Sequence, residues 1–333
     1  MRNDNMSRRA ACVKLLFSIV LSALVLERFN NSFNYVNNIE LNSQGLGMPL
    51  IGGGAMTQRS VEDAIKIGFR LFDSAEMYGE HHKFIGNAVK ASGIHRSNFY
   101  LISKLKLEHL TEAQHQVSVT KRCSDSVTTI LRDLGTDYVD LLLMHWPGKG
   151  RSFKNCKGRC KSMKQTEWRV RREWLWKAME NEVLRGRVRN LGVSNFNRRH
   201  IEHLISHAKI QPLVNQIEWH LLWHDTTLEG YCRDRGIHIV AYRPLGGKNT
   251  IAELRSNMEL LSLNIKYNKT ISQIALRWST QRGIPVITSS SSRTHLQENF
   301  DTNYFFISDK DMAFLDTLPQ LGRTNYQGQD DVD

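Results

Sequence analysis

The sequence predicts an α/β fold in which parallel strands close into a single (β/α)8 TIM barrel with extra loops. Short apolar runs typical of buried strands alternate along the chain with amphipathic segments of helical periodicity. Such regular alternation is typical of a parallel sheet, and 333 residues of 41% hydrophobic composition suffice for one large core. The sequence has no internal repeat and no Pro/Gly-rich linker, so nothing in it indicates a second domain.

The individual elements follow from their apolar patterns, taken in chain order. The predicted strands are 99–103, 139–144, 189–193, 238–242 and 285–287. The predicted helices are 126–134, 174–184, 198–206 and 271–282. The strands are short and rich in apolar residues, whereas the helices carry one apolar face, and this contrast separates the two classes.

Ionisable side chains follow or end several of the strand-like runs. Asp73 and Tyr78 follow a run that ends at residue 72, Lys104 follows 101–103, and His145 follows 141–144. Parallel α/β proteins build their active sites just past the carboxyl ends of the strands. We therefore expect these four side chains to meet and to form a proton-donating site.

Six motifs occur in order between about residue 45 and residue 318. They are 68–75 (GFRLFDSA) with Tyr78, 131–140 (LRDLGTDYVD), 145–147 (HWP), 192–196 (GVSNF), 215–218 (NQIE) and 241–246 (AYRPLG). In this order and spacing they resemble the signatures of the aldo-keto reductases. The resemblance implies a (β/α)8 barrel that reduces aldehydes or ketones to alcohols. It also implies a nicotinamide cofactor bound in extended form, and the sequence contains no Gly-rich G-x-G-x-x-G loop.

The resemblance implies a catalytic role for each of the four ionisable residues, and physical chemistry supports these roles. Tyr78 is the general acid, and the ammonium of Lys104 is expected to lower its pKa from about 10. Asp73 keeps Lys104 charged and positioned. His145 hydrogen-bonds the substrate carbonyl and orients it. Trp146 is expected to contact the substrate.

Cofactor-binding residues are carried over from the resemblance. Ser194, Asn195 and Gln216 would bind the carboxamide, Tyr242 would stack on the nicotinamide ring, and Glu298 and Asn299 would hold the adenine end. The remaining predicted cofactor residues are Arg243, Leu245, Ser289, Ser290 and His295.

Three departures from the family pattern affect the expected cofactor. Ser289 stands where a Lys usually meets the ribose 2′-phosphate, His295 where Arg is common, and Arg243 where Ser is common. Ser289 and Ser290 can donate hydrogen bonds but lack the charge that makes such contacts strong. NADPH is the predicted cofactor, and use of NADH is the alternative.

The net charge of +12 lies almost entirely in two segments. Residues 148–172 hold ten Lys/Arg against one acidic residue, and residues 1–28 hold five against two. One interpretation of residues 148–172 is that they select acidic or phosphorylated substrates. Another is that they contact an anionic membrane or polynucleotide. The preferred interpretation is a solvated, mobile insertion, and no nucleic-acid partner is expected.

The predicted domain organisation is a leader, a barrel and a short tail. Residues 1–38 form the leader, 39–320 the barrel with the basic insertion 148–172, and 321–333 the tail. Residues 10–26 of the leader are mostly apolar, and they are interpreted as a signal peptide, a short membrane anchor, the first part of an organelle leader or an aberrant extension. A reductase needs a reduced nicotinamide pool, which favours the cytosol or an organelle, whereas the leader favours membrane targeting or secretion. Localisation thus stays open.

No metal site is expected from the sequence. His200, His203 and His207 share one predicted helix face, but no carboxylate or Cys in the pattern completes a ligand set, so they are interpreted as an exposed face. Cys156 and Cys160 lack a second pair for zinc. The predicted protein is a monomeric enzyme. The alternative function is a nicotinamide-sensing or regulatory subunit of the same fold with little turnover.

Overall fold

Eight parallel strands close into a barrel in which each strand pairs with the next and the last pairs with the first. The computed structural model describes residues 50–52, 56–106, 115–148 and 165–323. The strands are β1 (Leu50–Gly52), β2 (Leu71–Asp73), β3 (Tyr100–Leu105), β4 (Val139–Met144), β5 (Val188–Ser194), β6 (Val214–Glu218), β7 (His238–Tyr242) and β8 (Val286–Thr288). Closure is made by β1 and β8, where Leu50 pairs with Ile287 and Ile51 with Thr288.

Eleven α-helices lie within the described residues and surround the barrel. They are α1 (Gln58–Ile67), α2 (His81–Ser92), α3 (Gln116–Leu134), α4 (Gln165–Leu184), α5 (Arg198–Ile205), α6 (Thr226–Arg233), α7 (Lys248–Ser256), α8 (Met258–Tyr267), α9 (Ile271–Gln281), α10 (Arg293–Phe300) and α11 (Asp309–Asp316). Several begin at a polar capping side chain, as sequence rules predict; Thr270, for example, forms a capping box with Gln273 at the start of α9.

Alternate residues of each strand face the barrel interior and the helices. On β4, Leu141 and Leu143 belong to the small cluster that fills the interior, whereas Leu142 and Met144 belong to the large cluster under the helices. The same alternation puts Lys104 on the interior side of β3, because Tyr100 and Ile102 belong to the interior cluster. Polar residues at the carboxyl ends of the strands are thereby directed toward one opening of the barrel.

The predicted fold class is confirmed, and each predicted element is present, although two helices begin much earlier than predicted. Helix α4 begins at residue 165 where 174 was predicted. The bounds of β4 and β7 are those predicted. Helix α3 begins ten residues earlier than the predicted 126–134. In its first ten residues only Val119 and Cys123 are buried, so the apolar face there is too sparse to be recognised in the sequence.

Residues at the end of the basic segment 148–172 are helical and packed. Residues 165–172 form the first two turns of α4, in which Trp168, Arg171 and Arg172 are buried. The interpretation of the segment as a solvated insertion is therefore wrong for these residues. Trp168 belongs to the hydrophobic core and Arg172 donates to the backbone carbonyl of Pro147, contacts that charge counting does not detect. Residues 149–164 lie outside the described residues.

The leader 1–38, with its apolar segment 10–26, also lies outside the described residues, as does most of the tail 321–333. Within the part of the chain that the structure covers, no helix is both long and apolar enough to span a lipid bilayer.

Candidate active site

A cavity of about 530 Å³ opens at the carboxyl ends of the strands. Of the predicted site residues, Asp73, Tyr78, His145, Trp146, Ser194, Asn195, Gln216, Tyr242, Arg243, Leu245, Ser289 and Asn299 line it. Lys104 lies directly beneath, in contact with Asp73. A volume of this size suits a small-molecule or cofactor ligand. The structure thus brings together most of the side chains that the sequence selected.

Asp73 and Lys104 form a buried ion pair on neighbouring strands. The ammonium donates to one carboxylate oxygen of Asp73, and it also donates to the backbone carbonyl of Ser74 at 3.0 Å. The second oxygen of Asp73 accepts from the side-chain amide of Gln216 at 2.9 Å. Because both side chains are removed from water, these hydrogen bonds offset part of the cost of burying the pair.

Tyr78 lies against this ion pair. The ammonium nitrogen of Lys104 is 5.1 Å from the centre of the Tyr78 ring. Burial raises the pKa of Tyr78 above its ordinary 10, while Lys104 opposes the rise and Asp73 adds to it. The expectation that Lys104 leaves Tyr78 with a lowered pKa is therefore wrong for the protein without ligand. Lys104 does act in the predicted direction, but desolvation of the phenolate is the larger effect.

His145 is held neutral beside Tyr78. Its ring packs edge-on against the Tyr78 ring, with 5.9 Å between the ring centres. Burial, together with the charges of Lys104 and Lys106, lowers the pKa of His145 well below its ordinary value. A neutral imidazole donates one hydrogen bond without carrying charge, which suits the orientation of a carbonyl oxygen.

Asn195 connects the carboxyl ends of β4, β5 and β7. Its amide nitrogen donates to the backbone carbonyl of His145 at 3.0 Å and to the hydroxyl of Ser194 at 3.0 Å. Its amide oxygen accepts from the hydroxyl of Tyr242 at 2.7 Å. Asn195 has a φ of 65°, a left-handed conformation that Asn adopts more readily than most residues. The network fixes the Tyr242 ring at the wall of the cavity.

The loop after β7 forms another wall of the cavity. Arg243 adopts a φ of 50°, and its charge reaches Tyr78 strongly enough to oppose the rise in that residue's pKa. Gly246, three residues on, has a φ of 65°, and a Cβ there would lie 2.5 Å from Thr250. The tight turn keeps Leu245 in the cavity lining.

The predicted adenine-end residues lie on and just before α10. Ser289 and Asn299 line the cavity, whereas Ser290, His295 and Glu298 do not. The Ser290 hydroxyl accepts from the backbone nitrogen of Ser292 at 3.0 Å, within the turn that leads into α10. His295 is exposed in the first turn of that helix. The roles of Ser290, His295 and Glu298 in cofactor binding thus stay a prediction, since these side chains do not line the cavity.

Six further residues line the cavity that the sequence analysis missed: Gly52, Met77, Pro244, Gly246, Ile287 and Thr288. A Cβ at Gly52 would lie 2.7 Å from the carbonyl oxygen of Asp73, so only glycine fits beside the ion pair. The available signal was a glycine directly after the apolar pair 50–51. The others are apolar or small residues within or beside predicted motifs and strands, and such side chains carry no chemical signal of their own.

The interpretation of three histidines as one exposed helix face is wrong for His200. His200 is buried at the start of α5, where it forms a capping box with Asn197. Capping turns the side chain back toward the helix N-terminus and away from His203 and His207.

The family model that matches the chain is that of the aldo/keto reductase family, over residues 54–319. The chain is 33% identical to the glyoxal reductase of Bacillus subtilis over 85% of its own length and 90% of that protein. It is 33% identical to aldose reductase B of Dictyostelium discoideum, over 86% of the chain and 94% of that protein.

Solved structures show the same likeness. An aldo-keto reductase from a Medee basin deep-sea metagenome library matches with a TM-score of 0.71 and 30% identity, covering 85% of this chain and 95% of its own. The aldose reductase of Schistosoma japonicum matches with a TM-score of 0.70 and 25% identity, covering 84% of this chain and 94% of its own.

Proposed function

The chain belongs to the aldo/keto reductase family, and from that premise we propose that it reduces an aldehyde or ketone to an alcohol, with NADPH as the hydride donor. The observation that carries the proposal is the buried Asp73–Lys104 pair beneath Tyr78, with neutral His145 beside it. These are the groups that carbonyl reduction needs around the reacting oxygen. The nicotinamide, when bound, supplies the hydride.

Tyr78 is the proposed proton donor. The raised pKa of its hydroxyl keeps it protonated throughout the neutral range, so the donor form is always available. When the proton leaves, the phenolate forms beside the ammonium of Lys104, which stabilises the negative charge. Asp73 holds that ammonium in place.

His145 is the proposed positioning group for the substrate. Its side chain lines the cavity next to Trp146, and the two rings stack with 5.8 Å between centres. A hydrogen bond from the neutral ring to the carbonyl oxygen would hold that oxygen toward Tyr78 and stabilise the developing alkoxide. Met77 and Trp146 give the same region an apolar wall.

The residues present fit a nicotinamide cofactor. Asn195 and Gln216 offer amide groups to a carboxamide, and Tyr242 has its hydroxyl anchored so that the ring has a fixed orientation. Gly52 lets the backbone of β1 pass close to Asp73, because a Cβ there would lie 2.7 Å from the carbonyl oxygen of Asp73.

NADPH is proposed over NADH because cationic and hydrogen-bonding groups lie at the outer part of the site. Arg243 lines the cavity, Ser289 lies at its mouth, and the backbone amides that begin α10 follow within a few residues. A helix N-terminus and a guanidinium both favour a phosphate. Ser289 supplies no charge, so the preference is expected to be moderate.

The substrate is proposed to be a small aldehyde or ketone. Relatives at 33% identity are named glyoxal reductase and aldose reductase B, which supports aldehydes as the class. A monomer is also proposed, because all four tetrad residues and the cavity lining come from one chain.

The test is oxidation of NADPH and of NADH by the full chain against a panel of aldehydes and ketones, with Tyr78→Phe in parallel. We expect turnover with NADPH favoured, and loss of about 100-fold or more in kcat for the variant with near-normal cofactor affinity. Equal activity in Tyr78→Phe would overturn the mechanism. Tight cofactor binding without turnover in the unaltered protein would instead favour the sensing or regulatory function.

A further inference from the structure

A carboxylate and two imidazoles meet between helices α4 and α5, outside the active-site cavity. Glu173 lies on α4, His203 on α5, and His207 in the turn directly after α5. One ligand atom from each side chain can be chosen so that all three lie within 4.8 Å of one another. The sequence showed the two histidines but not the carboxylate, which comes from a helix 30 residues earlier.

The hydrogen bond of His207 fixes which of its ring nitrogens is free. Nδ1 of His207 lies 2.9 Å from the backbone carbonyl of His203. A carbonyl oxygen only accepts, so Nδ1 carries the hydrogen, and in the neutral ring Nε2 presents a lone pair. That Nε2 is 3.8 Å from a carboxylate oxygen of Glu173. A metal ion bound at Nε2 would lie beside that carboxylate oxygen, so both groups could coordinate it.

His203 faces the same carboxylate oxygen. Its Nε2 is 3.4 Å from Oε1 of Glu173, and the His203 and His207 rings lie 4.9 Å apart between centres. Both rings therefore border one carboxylate oxygen, which a single ion could share with them. The positive charge of Arg172, next to Glu173 in the chain, opposes the binding of a cation and limits the expected affinity.

The two separations from Glu173 are close to those of ligands around one ion. Two ligands that each lie about 2.0–2.1 Å from a tetrahedral zinc ion are about 3.4 Å apart. The two distances to Glu173 are 3.4 and 3.8 Å, so small side-chain rotations would bring all three atoms into range. A backbone carbonyl that accepts from the second nitrogen of a histidine is the usual outer support of such a ligand.

We propose that Glu173, His203 and His207 form a site for a divalent transition-metal ion, of which Zn²⁺ is the expected occupant, with water completing its coordination. Imidazole and carboxylate ligands in a three-residue set suit this ion. The site ties α4 to α5, the helices that follow β4 and β5. None of its three residues lines the active-site cavity, so the ion is structural.

A hydrogen bond connects the neighbourhood of the metal site to the loop after β4. Arg172, next to Glu173, donates to the backbone carbonyl of Pro147 at 2.7 Å, two residues after His145. A bound ion would restrain this part of α4 and raise the stability of the fold. It would leave the chemistry of the cavity unchanged.

The test is Zn²⁺ binding to the full chain without an affinity tag, measured by calorimetry and by the shift in Tm. We expect one site lost, or weakened at least about 10-fold, in Glu173→Gln and in His207→Gln, with the Zn²⁺-induced rise in Tm lost as well. Glu202→Gln is the matched control. Glu202 lies on α5 next to His203, but its carboxylate pairs with Arg198 and is not part of the cluster. That variant should bind as the unaltered protein does.

A variant that lacks two cysteines tests whether Zn²⁺ binds at the proposed site or at cysteine thiolates. The variant Cys156→Ser/Cys160→Ser should keep the Zn²⁺-induced rise in Tm. Loss of binding there, or equal Zn²⁺ affinity in Glu173→Gln and the unaltered chain, would overturn the proposal. His207→Gln is the safer of the two site variants, since its side chain is 43% exposed and its loss leaves packing intact. Unchanged binding in that variant would overturn the proposal as well.

Discussion

Lys104 and Asp73 form an ion pair across β2 and β3 in which both side chains are almost completely removed from solvent. Each partner has a further hydrogen bond: Lys104 donates to the carbonyl of Ser74, and Asp73 accepts from Gln216. Removal of one partner would leave an uncompensated charge in the barrel. Such a defect costs more than the pair itself contributes.

Breaking this pair is expected to destabilise the protein strongly. Lys104→Met should lower the free energy of unfolding by about 3–5 kcal/mol, because it leaves the carboxylate of Asp73 buried and unpaired. The double variant Asp73→Asn/Lys104→Met should recover a large part of that loss, since no charge then remains. Denaturant unfolding of both single variants and the double variant measures the coupling. A double variant as unstable as the sum of the single variants would contradict the prediction.

The raised pKa of Tyr78 predicts a late titration in the protein without cofactor. Burial disfavours the phenolate more than Lys104 favours it, so the midpoint of its titration should lie above pH 10. Ultraviolet difference titration of the unaltered protein minus Tyr78→Phe isolates this residue, and Tyr304→Phe, at an exposed position, is the control. A titration midpoint below pH 10 for the signal that Tyr78→Phe removes would show that Lys104 is the stronger influence after all.

The carboxyl ends of the strands and the side chains on them could be predicted from the sequence, because both follow from the local pattern of apolar residues. Apolar runs set β4 and β7, and the alternation within a strand puts Lys104 and Gln216 inside the barrel. The net direction of the Tyr78 pKa was not predictable in this way. It depends on how completely the closed barrel excludes water from the phenol, whereas the sequence shows only that a lysine is available.

Contacts between residues on different helices could not be predicted from the sequence either. Glu173 reaches His203 because α4 and α5 pack side by side on the barrel, a relation that no spacing in the chain encodes. Burial of Arg172 and Trp168 also depends on that packing. Charge counting placed both residues in a solvated segment, since it treats an arginine or a neighbouring indole as exposed without regard to the surface it covers.

His82 predicts a loss of stability in mild acid. It is buried at the start of α2, its Nε2 lies 2.8 Å from the hydroxyl of Ser103, and burial lowers its pKa to about 4. Between pH 6.5 and pH 4 the unfolded chain binds a proton at this residue that the folded chain does not, so stability falls as the pH falls. The loss from this residue alone should approach about 3 kcal/mol at the lower end of that range.

The difference between the unaltered protein and His82→Gln isolates that contribution, because other buried histidines remain in both. Denaturant unfolding at several pH values should show the variant losing less stability on acidification. His95→Gln, at an exposed position, should follow the unaltered curve. Parallel curves for the unaltered protein and His82→Gln would mean that His82 is protonated in the folded state.

Ser289 predicts that cofactor preference can be increased by one added charge. The residue lies at the mouth of the cavity, exposed, four residues before α10. In Ser289→Lys an ammonium would meet the 2′-phosphate of NADPH, and a charge-assisted hydrogen bond of about 1.4 kcal/mol corresponds to roughly 10-fold in affinity. NADH has no such phosphate, so its affinity should stay the same.

Fluorescence titration with both cofactors measures the ratio of the NADPH and NADH affinities. Ser262→Lys, on the outer surface of α8, controls for net charge. An equal gain for NADH, or the same gain in Ser262→Lys, would show that Ser289 does not face the phosphate.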